Sequence, residues 1–361
     1  MMLALAAQGQ SINYKEKATE NYTRFFYDNN YYLVDKDCEF KSIERVAVYD
    51  SVKLVFDGIF KDFDRNGRLI LQGNYSNGKK EGEFIGYHPN GEIKWKTTYV
   101  NNQPQGEWNY FYPDGKPMLS LILSEDDFRF VSFWDRLGNQ KITEGQGDYE
   151  MVMPIKGFTD HGYTSFVRKG KVANGKPDGD WYISFITNDR RPREIQAFYE
   201  KYSAGQLLSF YLTSTFEGYF IPYEDFPLVP SEYFNVSEFF IVSGCSFDQY
   251  SGFLNYIAKK FNYDLKDVEI EGNNLKVRYK IKYSVSKSGE PYTQTIVESP
   301  KNLSNSDKNK LAQIFKSFPY FIPSVLDDKP IRDNITLTID VALKNNTGAV
   351  EYLTLEREKG K

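Results

Sequence analysis

The sequence predicts a mainly β N-terminal antiparallel hairpin-repeat sheet, followed by an α+β domain. Three observations support this fold class. Residues recur with a period of 24 between residues 54 and 123, strand-like alternation and turn dipeptides fill each period, and helical spacing appears after residue 246. Self-similarity at 20–50 residues is typical of stacked supersecondary units.

The 24-residue period is visible in four registers at once. The recurring sets are Gly58, Gly82 and Gly106; Gly67, Gly91 and Gly115; Phe63, Tyr87 and Phe111; and Tyr75 and Tyr99. A period shared by glycines and aromatic residues indicates a repeated structural unit and not a compositional bias.

Each unit is predicted to contain two strands and two turns. Asn66-Gly67, Asn90-Gly91 and Asp114-Gly115 are strong hairpin signals and predict type I′ turns, which need positive φ at both central residues. Residues 93–99 alternate apolar with polar side chains, which is the period of a strand. A hairpin of this size is marginal alone, so stacking must bury its aromatic face.

The second turn of the unit is looser, and it returns later in the chain. Its copies are 77–82, 101–106 and 174–179, and a further half-unit is expected over 198–207. Residues 124–173 are expected to hold a divergent or interrupted unit.

Composition excludes several classes of protein. The 361 residues carry 45 basic and 49 acidic side chains, so the basic footprint of a nucleic-acid binder is missing. Two cysteines and two histidines are too few for a disulfide framework or a multi-cysteine zinc site. No stretch approaches the ~20 apolar residues of a membrane-spanning helix. We therefore expect no cofactor, no nucleic-acid partner and no integral membrane span.

The pattern changes beyond residues 216–245, a proline-punctuated stretch that is predicted to be a linker. The elements expected after it are helices over 250–261 and 306–318, the latter capped by Ser306 or Asp307, and strands over 275–285, 292–297 and 331–343. The predicted order is α-β-β-α-β.

Residues 75–94 carry a first family resemblance. Y-S-N-G-K-K-E-G-E-F at 75–84 and Y-H-P-N-G-E-I-K at 87–94 resemble the MORN-type repeat of the bacterial YwqK-like group, a match that extends over 54–123 and, loosely, 165–210. In that family the frame repeats in antiparallel hairpins. The resemblance implies a scaffold with an interaction or membrane-contact surface, and members are often called antitoxins by association.

Residues 246–343 carry a second resemblance, to the C-terminal domain of TonB-type energy transducers in the form common in Bacteroidetes-like bacteria. The matching landmarks are Phe253-Leu254-x-x-Ile257, Asn262-Tyr263, Glu271-Gly272, Val277-x-Tyr279, Ser288-Gly289-Glu290, Phe321-x-Pro323 and Asp328-Lys329-Pro330-Ile331. Asp264 stands where the family has Pro, and Phe321 where it has Trp. The membrane helix and Pro-rich spacer of a transducer are missing, so energy transduction is not expected.

This second resemblance implies binding by strand addition, in which a partner strand pairs with the exposed edge of the last strand. Ile331, Ile335, Leu337 and Ile339 would line that strand. The plainer interpretation is that they are core and edge-strand residues.

The N-terminal ten residues favour export. Ala4-Leu5-Ala6 has the small-x-small form of a signal-peptidase site, although no basic region precedes it. Residues 1–10 are therefore interpreted as a signal-peptide remnant or as a frayed terminus. Because both resembled modules are common in exported proteins, a periplasmic or cell-envelope location is expected. The predicted organisation is a capping segment over 11–53, MORN-like repeats over 54–215 (best 54–123, degenerate 124–215), the linker over 216–245, the TonB-like domain over 246–345 and a charged tail over 346–361.

Catalytic and metal-binding patterns are weak. Asp62 to Gly67 matches the first half of a calcium loop, but Gly73 stands where a bidentate Glu is needed, so a hairpin turn explains the motif better. His88 and His161 are interpreted as turn or surface residues. Glu125, Asp126 and Asp127, with Asp135, have the residue types of glycosidase carboxylates, although a solvated loop is the plainer interpretation.

The aromatic strands offer a second candidate surface. Trp95, Trp108, Tyr110 and Tyr112 could bind sugars or peptides by stacking, or pack as cross-strand core. We expect a non-catalytic cell-envelope scaffold whose partner is an envelope protein or peptide, with a carbohydrate or lipid surface as a further candidate partner. The alternatives are a carbohydrate-active enzyme using Asp126 and Asp127, and a cytosolic antitoxin.

Overall fold

The computed structural model of the chain describes residues 12–124, 127–271 and 274–358. These residues fold into two compact units. The sheet unit contains residues 12–156 and 160–241, and the C-terminal unit contains residues 157–159 and 242–358. The chain is mainly β, and a large antiparallel sheet built from hairpins dominates it.

The described part of the sheet unit has seventeen strands. They are β1 Lys15–Lys17, β2 Thr23–Tyr27, β3 Ile43–Asp50, β4 Val55–Asp64, β5 Leu69–Ser76, β6 Lys79–Lys80, β7 Gly82–Tyr87, β8 Ile93–Val100, β9 Gln103–Phe111, β10 Pro117–Leu123, β11 Phe128–Trp134, β12 Gln140–Thr143, β13 Gln146–Pro154, β14 Ser165–Ala173, β15 Lys176–Ile186, β16 Glu194–Ser203 and β17 Gln206–Leu212. Successive strands pair antiparallel along the chain, and β5 meets both the two-residue β6 and β7. The sheet is therefore a continuous meander.

The type I′ prediction was assigned to the wrong turn of each unit. At Asn66-Gly67 only the glycine has positive φ, 74°. Asp64 closes this turn, because its N–H donates to Arg68 O and its carboxylate accepts from the N–H groups of Asn66 and Arg68. The looser turn instead has both central residues left-handed, with φ of 49° at Asn77 and 78° at Gly78.

The turn of the repeat recurs at residues 135–139, within the stretch 124–173 where the sequence predicts a divergent or interrupted unit. Asp135 N–H donates to Asn139 O and Gly138 N–H donates to Asp135 O, which repeats the closure seen at Asp64. The Asp135 carboxylate likewise accepts from two backbone N–H groups, those of Leu137 and Asn139. The turn architecture thus survives where the aromatic spacing no longer reveals it.

One face of the sheet, here the inner face, carries the buried aromatic side chains. Its large buried members include Phe60, Tyr75, Phe84, Trp95, Tyr149 and Trp181. Ring centroids of neighbours on adjacent strands lie about 5–6 Å apart, as for Phe60–Tyr75 at 5.3 Å. Thin hairpins bury enough surface here because each contributes large rings to one continuous layer.

Residues 213–241, here called the strap, run across this inner face. The aromatic contacts along it are Phe216 with Phe185, Phe226 with Phe166 and Phe198, Phe234 with Phe84 and Trp95, and Phe240 with Phe25 and Phe56. Most of the stretch predicted to be a linker is therefore packed. Its prolines prevent regular strands, but Phe216, Phe226 and Phe234 are buried on the sheet.

The C-terminal unit contains helices and a four-stranded antiparallel sheet of order β19-β18-β22-β23. Its elements are α1 Phe247–Tyr250, α2 Phe253–Leu265, β18 Leu275–Val285, β19 Pro291–Glu298, α3 Asn305–Lys316, β20 Val325–Leu326, β21 Lys329–Pro330, β22 Asp333–Lys344 and β23 Thr347–Arg357. The N-cap of α3 is Ser304 and not Ser306 or Asp307 as predicted, because Ser304 Oγ accepts from Asp307 N–H.

The predicted charged tail over 346–361 contains a strand instead. Asn345 and Asn346 form a two-residue turn with φ of 53° and 60°, and β23 then pairs along β22. Val350 and Leu353 are buried, so apolar residues that lie between charged residues in the sequence anchor this strand. The strand over 331–343 is consequently not the last strand of its sheet.

Candidate binding surface

The structure removes the predicted strand-addition site from the surface. Ile335, Leu337 and Ile339 lie on β22 and are completely buried, and Ile331 precedes the strand. β22 pairs with β18 on one side and with β23 on the other. Ile335, Leu337 and Ile339 are therefore core residues, and β22 has no free edge, whereas Ile331 is only partly buried.

The predicted aromatic surface is also occupied. Trp95, Trp108 and Tyr110 are buried on the inner face, and the Trp95 ring stacks on Phe234 of the strap at 5.7 Å. Tyr110 Oη donates to Pro230 O of the strap, and Tyr112 Oη donates to Trp134 O. Trp95, Trp108 and Tyr110 thus pack in the core of the sheet unit, whereas Tyr112 is only partly buried.

Ionic contacts fix the strap at several points. Arg45 lies opposite Asp62 on paired strands, and the two side chains form a fully buried bidentate ion pair of 2.7 and 2.8 Å. The remaining Nη1 of Arg45 donates to Ser237 Oγ of the strap at 2.7 Å. At the far end of the sheet, Arg168 pairs with Glu200 and donates to Phe226 O of the strap.

Two lysines bind strap carboxylates between these points. Lys80 Nζ lies 2.9 Å from Glu238 Oε1, which also accepts from Tyr75 Oη at 2.8 Å. Lys94 Nζ lies 2.7 Å from Glu232 Oε1. These pairs explain why the strap stays on the face despite its lack of regular structure.

A groove of about 1610 Å³ lies beside the strap in the sheet unit, lined in part by Lys94, Lys156, Glu232 and Tyr233. Lys156 Nζ lies 3.9 Å from the centroid of the Tyr233 ring and donates to Ser231 O. Burial lowers the pKa of Lys156. Both lysines are thus bound to the strap, so this part of the groove serves its attachment.

The other predicted chemical residues do not converge on a site. Asp62 is held by Arg45 and Asp64 closes a turn, so the calcium-like motif is structural. Asp127 forms an ion pair with Lys176, and Asp135 closes a turn; Glu125 and Asp126 lie outside the described residues. Within the described ranges, no group of three or more His, Cys, Asp or Glu side chains could hold a metal ion.

The two histidines differ in their surroundings. His88 Nε2 lies 2.9 Å from Phe111 O beside a turn. His161 is partly buried and stacks on Phe185 at 4.4 Å, and burial lowers its pKa. Its buried Nδ1 has no hydrogen-bond partner among the residues that the structure describes.

The opposite, solvent face of the sheet carries a feature that the sequence did not predict. Tyr182, Tyr199 and Tyr211 stand directly opposite one another on β15, β16 and β17, with ring centroids 5.7 and 5.0 Å apart. We call these residues the tyrosine row. Tyr211 is 56 % exposed, and Tyr182 and Tyr199 are partly exposed.

Hydrogen bonds and charges order the tyrosine row. Tyr199 Oη donates to Asp180 Oδ1 at 2.5 Å, which raises the pKa of Tyr199 to about 12. The same bond, together with Lys201, lowers the pKa of Asp180. Tyr199 therefore stays protonated at neutral pH, and the row presents aromatic faces beside compensated charges.

The tyrosine row escaped prediction because its spacing is irregular along the chain. Its members are 17 and 12 positions apart, while the repeat period is 24. They become neighbours only through the registers of β15, β16 and β17, and the β16–β17 register includes a bulge. The sequence pattern that could have revealed the tyrosine row is the alternation of side chains along each strand. Each tyrosine of the row follows or precedes a residue of the inner face.

No protein-family model matches this chain. A search of curated proteins likewise gives no match. The helices that the structure describes are all too short or too polar to cross a membrane. Function must therefore be inferred from the two faces of the sheet.

Proposed function

We propose that this chain is a non-catalytic interaction scaffold of the bacterial cell envelope, and that it binds a protein partner through the solvent face around the tyrosine row. The observation that carries the proposal is the exposed, ordered row of Tyr182, Tyr199 and Tyr211. Tyrosine is enriched in protein interfaces. Its ring supplies a large contact area and loses little conformational entropy on binding. The strap leaves this face, and not the inner one, available.

The architecture supports the finer assignment. Four turns of one type recur near every 24 residues, closed at Asp64, His88, Tyr112 and Asp135, which agrees with a MORN-like array. The helices and sheet of the C-terminal unit agree with a TonB-like module. In that module the edge-strand role passes from β22 to β19 or β23, which are the outer strands of the sheet.

The cysteines support an exported location. Cys38 and Cys245 are both disulfide-bonded. Disulfides persist in oxidising compartments and are rare in the cytosol. A cytosolic antitoxin would hold reduced thiols, so this observation favours the envelope over that alternative. Alkylation of the protein in intact cells tests it: unmodified cysteines are expected, and two labelled thiols would favour the cytosol.

The experiment for partner binding compares two surface variants. The triple variant Tyr182→Ser, Tyr199→Ser and Tyr211→Ser should lose a specific envelope protein that the unmodified chain captures from envelope extract. Tyr219→Ser is the matched control, because Tyr219 is 54 % exposed in the same unit but lies outside the row. Equal capture by the triple variant and the control would contradict the proposal.

A further inference from the structure

We propose that the chain pairs with a second copy of itself through the free edge of β17, joining two sheets into one. This inference concerns the edge of β17 and not the solvent face, although Tyr211 belongs both to β17 and to the tyrosine row. β17 is the final strand of the meander and pairs with β16; no other strand of the described chain pairs along it. Its outer backbone groups are therefore open to another strand.

The sequence of β17 lacks the features that protect strand edges. Gln206–Leu212 contains no charged residue, no proline and no glycine, and Leu208, Phe210 and Tyr211 are 57, 49 and 56 % exposed. Such a strand is a template for pairing, because charge or proline normally blocks an edge.

The other outer strands carry features that β17 lacks. β1 at the start of the meander is Lys15-Glu16-Lys17 and spans three residues. In the C-terminal unit, Asn262 Oδ1 of α2 accepts from Val350 N–H of β23 at 2.7 Å, which engages one backbone donor of that strand. β19, the other outer strand of that unit, begins at Pro291 and ends at Glu298, whereas β17 contains neither proline nor a charged residue.

The occupant that fits best is an identical strand. A bulge at Leu208, where Lys201 pairs with Ser209 and Tyr202 with Leu207, leaves regular pairing for the residues that follow. An antiparallel copy centred on Phe210 places Ser209 opposite the partner's Tyr211 and Phe210 opposite its own equivalent. No like charges meet in this arrangement, and the two-fold symmetry closes the assembly as a dimer.

The contacts of Phe210 favour this register. Its ring already stacks on Tyr223 of the strap at 4.3 Å, which orders the side chain on the inner face. A second copy would add another ordered ring beside it and reduce the exposure of both. The two straps would then lie on the same side of the joined sheet.

Sedimentation equilibrium over a wide range of protein concentrations tests the proposal on the full chain. The unmodified protein should form dimers, and Leu208→Lys should weaken their association about tenfold or more, because lysine blocks edges. Ile59→Lys is the matched control: Ile59 is 51 % exposed, but its strand β4 already pairs on both sides. The control should associate like the unmodified protein.

Further measurements keep the outcome decisive. Ser209→Lys provides a second edge variant if Leu208→Lys fails to fold, as judged by its thermal melt. Hydrogen exchange of the amides in 208–212 should slow as the protein concentration rises. A monomer at every concentration, or equal weakening by Ile59→Lys, would overturn the proposal. Association that survives both edge variants would place the contact on another surface and overturn it as well.

Discussion

The two faces of the large sheet are built from the same strands, yet they serve different purposes. The inner face buries its rings beneath the strap and contains two buried arginine–carboxylate pairs, whereas the solvent face leaves the tyrosine row exposed. Both faces are rich in aromatic residues. Aromatic content alone therefore does not identify a binding surface. What matters is whether another segment of the chain covers the aromatic side chains.

The largest expected effect comes from removing a buried charge on the inner face. Arg45→Met leaves Asp62 unpaired and should cost about 3–5 kcal/mol of the free energy of unfolding. Urea denaturation followed by tryptophan fluorescence measures it, because all four tryptophans lie in the sheet unit. Arg68→Met, which breaks a half-exposed pair with Asp64, should cost about 0–1 kcal/mol. Equal losses in the two variants would contradict the contrast.

The second prediction tests the strap as a cover. Phe234 is buried between Phe84 and Trp95, so Phe234→Ala should cost about 3 kcal/mol by the same measurement. Phe239→Ala is the control within the strap, because Phe239 is 61 % exposed, and it should change stability by less than about 0.5 kcal/mol. A small loss for Phe234→Ala would mean that the inner face does not depend on the strap.

The third prediction concerns a buried carboxylate held by backbone N–H groups. Asp28 Oδ1 accepts from the N–H groups of Asn30 and Tyr32, and burial raises the Asp28 pKa to about 6. The folded state therefore binds a proton more tightly than the unfolded state, and this contribution to stability is lost as pH rises from about 4 to 6. Asp28→Asn should gain about 2 kcal/mol above that window and little below it.

For Asp35, the same Asp→Asn substitution is expected to change stability at neutral pH in the opposite direction. Its carboxylate accepts from the N–H groups of Asp37 and Asn13, which lowers its pKa. Its contribution is present at neutral pH and lost in acid, so Asp35→Asn should lower stability at neutral pH. Urea titrations of both variants across pH measure the two trends, and trends of the same sign would refute this electrostatic explanation.

The smallest effect belongs to the solvent face. Tyr199→Phe removes the hydrogen bond to Asp180 at an exposed position, so the free energy of unfolding should stay almost unchanged. Thermal and urea denaturation measure this. A large destabilisation would mean that the tyrosine row serves structure and not recognition.

Periodicity and turn chemistry predicted the antiparallel hairpin sheet, because glycines and aromatic residues recur at the same positions of each repeat unit. The sequence did not predict the role of residues 213–241. Prolines and irregular spacing resemble a linker, and only the partners of Phe226 and Phe234 show that this stretch is core. The tyrosine row was missed for a related reason, because strand register brings its members together.

The long separation between Arg45 and Ser237 has a consequence for how the protein is made. The two residues are 192 positions apart in sequence, and many early strands stay uncovered until the strap emerges from the ribosome. Nascent chains that end before residue 241 would expose the aromatic side chains of the inner face, which chaperones or other nascent chains could bind. The strap therefore completes the sheet unit while the chain is still being made, because the aromatic layer is covered only after residues 213–241 have followed the strands out of the ribosome.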